Sequence, residues 1–137
     1  MKKLTLRALV VVALLAMVLG SFTACCCPLI DQGPDFEEVY NSLDSDVMYG
    51  WELGADGSYL KADSNVYDLD DYSNWDIVDS IETVNTKLGL PDYLYSDMMN
   101  TTWSMGKQSE TFEEQGITVT WTYHPDKGLE VTYRKMN

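Results

Sequence analysis

The chain has 137 residues, with 22 Asp and Glu against 9 Lys and Arg, one His and three Cys, for a formal net charge of −13. So acidic a surface is repelled by nucleic acid and by anionic lipid headgroups, which argues against phosphate-binding roles. With one histidine and no cysteine after Cys27, the body of the chain has no internal disulfide, no cysteine nucleophile and no ordinary zinc ligand set.

The N-terminus reads as a targeting segment. Lys2, Lys3 and Arg7 form a positive start, and residues 8–19 are all apolar. Twelve apolar residues match the core of a signal peptide and fall short of the roughly 18 to 20 that span a bilayer. Gly20 and Ser21 then interrupt the run. Phe22-Thr23-Ala24-Cys25 resembles the bacterial lipobox, in which an apolar residue and two small ones precede a cysteine; the family pattern usually has Leu where this chain has Phe22. The resemblance implies cleavage after Ala24 and lipidation of Cys25. Two acyl chains at about 0.8 kcal/mol per buried CH₂ would anchor the chain stably. Cys26 and Cys27 stay open between further acylation, pairing with another chain and free thiols.

The expected division is therefore residues 1–24 as signal peptide, 25–34 as lipidated cysteine and short tether, and 35–137 as one acidic domain. Removing 1–24 takes away three positive charges and no negative one, moving the net charge from −13 to −16. Pro28, Gly33 and Pro34 make the tether irregular. Nine residues reach about 30 Å when extended, so the domain is expected close to the membrane.

Along the domain, Phe36, Val39, Tyr40 and Leu43 have the spacing of a short amphipathic helix, with acidic residues at its start. Residues 47–53 and 58–62 read as two strands joined around Asp56-Gly57, a strong hairpin signal. Residues 66–72 form an acidic connection. A second helix follows, with Ser73 and Asp76 as a capping box, Ile77, Ile81, Val84 and Leu88 on one face, and Gly89 at its end. Pro91 opens a third helical run through Tyr93, Leu94 and Met98, stopping at Asn100. Residues 101–105 and 109–113 are candidate strands. Ile117, Val119, Trp121 and Tyr123 alternate with Thr118, Thr120, Thr122 and His124, and Leu129, Val131 and Tyr133 alternate with polar partners across a turn at 125–128. One face of this hairpin is apolar and the other is rich in threonine, as an antiparallel sheet packed on helices requires. The predicted class is α+β, with antiparallel hairpins against two or three short helices.

Two resemblances bear on residues 56–135. The order helix, Leu-Gly-Leu-Pro-Asp, helix and antiparallel meander over 77–135 resembles the two-helix, three-strand module of small outer-membrane-assembly lipoproteins and of the β-lactamase inhibitor protein. That resemblance implies a non-enzymatic protein-binding module. Asp56-Gly57-Ser58-Tyr59-Leu60, Gly89-Leu90-Pro91-Asp92-Tyr93-Leu94-Tyr95 and Trp121-Thr122-Tyr123-His124-Pro125 resemble small Firmicutes lipoproteins, which implies the lipoprotein class and no defined activity.

Chemistry is sparse. His124, at a strand end before Pro125, reads as a turn residue, and no Gly-x-Ser-x-Gly elbow accompanies it. Asp68, Asp70, Asp71 and Asp76 crowd one stretch and are candidate calcium ligands. The EF-hand template nevertheless fails, since with Asp68 first Tyr72 takes the fifth position and Ser73 the glycine. No other cofactor is expected. Trp51, Trp75 and Trp103 are candidates for sugar stacking, whereas Trp121 reads as core. Met98 and Met99 read as packing residues. The functional expectation is a non-enzymatic, membrane-anchored interaction module on the extracytoplasmic face, meeting an envelope protein through the polar sheet face or the acidic connection. The alternative is a lipoprotein that binds calcium or a glycan.

Overall fold

The computed structural model describes residues 33–136; the signal peptide, Cys25 and most of the tether lie outside that range. Three helices and five strands follow one another: α1 (Phe36–Asn41), β1 (Trp51–Leu53), β2 (Tyr59–Asp63), α2 (Trp75–Lys87), α3 (Tyr93–Met99), β3 (Gln108–Phe112), β4 (Ile117–His124) and β5 (Gly128–Lys135). The strands form one antiparallel sheet in the order β1-β2-β5-β4-β3. The class is α+β, as the sequence patterns predict.

Local signals account for most elements. Asp35 caps α1 by accepting the Glu38 amide at 3.0 Å. Between β1 and β2 the Asp56 carboxylate accepts the Ser58 amide at 3.0 Å, and Gly57 takes a φ of 67°, a left-handed value that side chains resist. Ile77, Ile81, Val84 and Leu88 all point into the core. Gly89, also at φ 67°, ends α2.

The connection that closes the fold is non-local. β2 pairs with the last strand, Leu60 opposite Tyr133 and Ala62 opposite Val131, so the first hairpin extends the C-terminal meander. The inner face of the resulting sheet carries Leu60, Ala62, Ile117, Val119, Trp121, Leu129, Val131 and Tyr133, and the helices cover it with Phe36, Ile77, Ile81, Leu94 and Met98. Buried aromatics with polar ends all find helix-side partners. Trp51 Nε1–H donates to Ser80 Oγ at 2.8 Å, Trp121 Nε1–H to Thr101 Oγ1 at 2.8 Å, and the Tyr133 hydroxyl to Asn85 Oδ1 at 2.7 Å. Such groups cannot be buried cheaply without a partner.

Three expectations need correction. The strand predicted over 47–53 begins only at Trp51, because residues 44–50 turn through bonds from Val47 N to Asp44 O (3.1 Å) and Gly50 N to Val47 O (3.0 Å). The strand predicted over 101–105 is instead a 3₁₀ turn, Trp103–Met105. Thr101 Oγ1 donates back to the Asp97 carbonyl at 2.8 Å, holding the chain against the end of α3 before it can extend. The cap of α2 is Asn74, whose Oδ1 accepts the Asp76 and Ile77 amides, and not Ser73.

Candidate functional site

Asn74 sets the geometry of an apolar groove. Its amide donates to the Ser64 carbonyl at the end of β2 (2.7 Å), its side chain donates to the Tyr49 hydroxyl, and its Oδ1 caps α2. Trp75 is thereby held at the first helical position, 63 % exposed. Beside it lies a groove of about 280 Å³ lined by Ser73, Trp75, Val78, Met98, Met99, Thr101, Tyr123 and Leu129. Val78, Met98 and Leu129 are buried and form its floor, while Met99 is exposed. The end of β4, the start of β5, the first turn of α2 and the last turn of α3 all meet here.

Residues 66–72 precede the groove residues Ser73 and Trp75 in the chain and expose four apolar side chains: Val66, Tyr67, Leu69 and Tyr72. The buried Asn65 holds the segment. Its Oδ1 accepts the Leu69 amide at 3.0 Å, and its Nδ2 donates to the carbonyls of Leu69 (2.8 Å) and Asp126 (3.0 Å), tying the loop to the β4–β5 turn. Asp68 and Asp71 adopt left-handed backbone, φ 48° and 50°, which aspartate tolerates better than most residues.

The acidic residues do not gather into a cage. Asp68, Asp70, Asp71 and Asp76 are all exposed, and Asp68 lies 3.9 Å from Lys127. No three His, Cys, Asp or Glu side chains among the described residues converge as a bound cation requires. A second groove, of about 550 Å³, runs on another side of α2 and is lined by Asp44, Asp46, Asp76 and Asp79 together with serine and threonine hydroxyls.

The other sequence candidates fall in different places. Trp51 is 5 % exposed and stacks on Tyr133 with centroids 6.3 Å apart, so it is core and not a stacking platform. Trp75 and Trp103 are exposed, and Trp121 is core as predicted. Met98 packs inside as expected, but Met99 turns outward to the groove. His124 ends β4 exposed, with Nδ1 accepting the Asp126 amide at 3.2 Å. The polar sheet face carries Thr118, Thr120, Thr122 and Thr132, crossed by a Lys61–Glu130 ion pair at 2.8 Å.

The lining of the groove by four elements was not foreseeable from spacing. The exposed apolar run was: residues 66–75 alternate aromatic or aliphatic side chains with Asp and Asn at no helical or strand period, the mark of an irregular segment that cannot bury them all. Among the described residues no helix is long and apolar enough to cross a membrane. Comparison of the chain with protein-family models, curated proteins and solved structures found no match.

Proposed function

We propose that this chain is a lipid-anchored, extracytoplasmic interaction module of the cell envelope, non-catalytic, with residues 66–75 and the adjoining groove as its contact surface. The observation that carries the reading is the concentration of Val66, Tyr67, Leu69, Tyr72 and Trp75, all exposed, within ten residues. Single exposed apolar side chains are ordinary, but five within ten consecutive residues, the last of them lining an apolar groove, are the pattern of a surface that a partner covers. The anchor rests on the charged start, the apolar run and Phe22-Thr23-Ala24-Cys25.

The test is crosslinking and affinity capture of the full-length protein from its native membranes. A partner is expected near one-to-one stoichiometry, lost with Cys25→Ser, which releases the chain from the membrane, and weakened with Tyr67→Ser plus Trp75→Ala. Turnover of an envelope substrate that a single Asp or Glu substitution abolishes would overturn the reading. A second reading has one observation in its favour: Trp75 beside a groove offers an indole face for a sugar ring. It predicts quenching of indole emission by cell-wall glycans that Trp75→Ala removes.

A further inference from the structure

Two grooves of opposite character flank the first turns of α2. The apolar one uses Trp75 and Val78; the acidic one uses Asp76 and Asp79, each the next residue along the helix. The wall between them is therefore one helix, about 10 Å across. Asp44 and Asp46 complete the acidic side, and among the described residues no lysine or arginine lines it. Between Lys61 and Lys87 the chain carries seven carboxylates and no basic residue. The ion pairs among the described residues involve none of Asp44, Asp46, Asp76 or Asp79.

Resting on the reading of the chain as an interaction module, we infer that the contact surface takes a cationic, amphipathic protein segment. Its apolar side chain fills the groove beside Trp75, and its lysine or arginine side chains reach across α2 to Asp76 and Asp79. Charge complementarity selects this occupant. An anionic bilayer would be repelled by the same carboxylates, and a second copy of the chain carries the same negative charge, −16 once residues 1–24 are removed. A neutral apolar segment would leave the acidic groove without a counterpart, whereas a segment with both features uses both walls of one helix.

The experiment uses the mature lipidated protein in nanodiscs of neutral phosphatidylcholine, with a fluorescein-labelled amphipathic helical peptide of leucine and lysine as probe. Anisotropy should report binding that weakens with added salt, since exposed charges are screened within about 10 Å at 0.1 M. Trp75→Ala, and separately Asp76→Asn with Asp79→Asn, should each raise Kd about tenfold, a loss of roughly 1.4 kcal/mol. Met99→Ser, an exposed position that keeps the core intact, should weaken binding in the same direction. The control Glu113→Gln with Glu114→Gln should change nothing. A lysine–serine peptide that binds as well as the leucine–lysine one would overturn the inference by showing mere charge attraction. Binding to phosphatidylserine vesicles through Trp75, or self-association lost with Trp75→Ala, would likewise overturn it. Capture of a native partner indifferent to all these substitutions refutes the inference and leaves the module reading standing. Failure of the wild-type chain to capture any partner, with peptide binding intact, refutes the module reading instead.

Discussion

Replacing Tyr133 by Phe tests how the core accommodates polar atoms. Tyr133 is fully buried on β5, and its hydroxyl donates to Asn85 Oδ1 at 2.7 Å from α2, which is 3 % exposed. Among the described residues the Asn85 Nδ2 has no hydrogen-bond partner, so this one bond is what satisfies the amide. Tyr133→Phe keeps the ring and its stacking on Trp51 while leaving both ends of a buried amide unpaired. An unsatisfied buried polar group costs about 1–3 kcal/mol, and at about 4–8 °C per kcal/mol for a domain near this size the melting temperature should fall by at least about 4 °C. Asn85→Leu alone strands the Tyr133 hydroxyl and should also destabilise. The double variant Tyr133→Phe with Asn85→Leu replaces both partners by apolar groups and should return to wild-type stability or exceed it. Urea unfolding of all four proteins gives the coupling directly. Losses that simply add in the double variant would refute the reasoning, as would a Tyr133→Phe change below about 0.5 kcal/mol, the usual scatter of surface substitutions.

The same phenol makes a pH prediction. Burial pushes the Tyr133 pKa far above its ordinary 10.0, so the folded state keeps the proton that the unfolded chain gives up. Its contribution is complete below about pH 10 and is lost as pH rises further, by up to about 1.4 kcal/mol per pH unit; urea midpoints should fall there, less steeply in Tyr133→Phe. Gly128 opens β5 at φ 67°, and a Cβ there would meet Asn65 Cβ at 3.0 Å and the Ser64 hydroxyl. Gly57 has the same φ with open space around it. Gly57→Ala should therefore cost about 1–2 kcal/mol from backbone strain alone, and Gly128→Ala clearly more; equal melting temperatures would contradict this. Asn65→Ala should free residues 66–72, seen as faster amide exchange at Leu69, whose N–H loses its acceptor; unchanged exchange would mean that another contact holds the loop. Calcium at millimolar levels should leave the melting temperature unmoved, because exposed Asp68, Asp70, Asp71 and Asp76 do not converge; a rise abolished by Asp68→Asn with Asp70→Asn would restore the cation reading.

Where the structure and the sequence patterns part, short-range hydrogen bonds and contacts between distant residues act together. Val and Tyr favour strands, yet residues 47–50 turn through the Val47–Asp44 and Gly50–Val47 backbone bonds, and Gly50 packs against Ile77, where a Cβ would sit 2.8 Å from Cγ1. Thr101 and Trp103 have strand propensity too, but the Thr101 hydroxyl is engaged by the Asp97 carbonyl and the Trp121 indole. Trp51 has the aromatic character of a binding residue, and only Ser80 and Tyr133, far along the chain, make it core.

Short-range sequence patterns account for the α+β class, the inward stripe of α2, the alternation of β4 and β5, the Asp56-Gly57 turn and the exposed, acidic character of residues 66–72. These are properties of a helix period, a strand period or a turn, each set by residues a few positions apart. Tertiary packing alone selected the pairing of β2 with β5 and brought an apolar and an acidic groove to the first turns of α2. Those outcomes depend on pairings across about 70 residues, such as Leu60 with Tyr133. No local period records such pairings; the shared burial of a sheet face against the helices selects them.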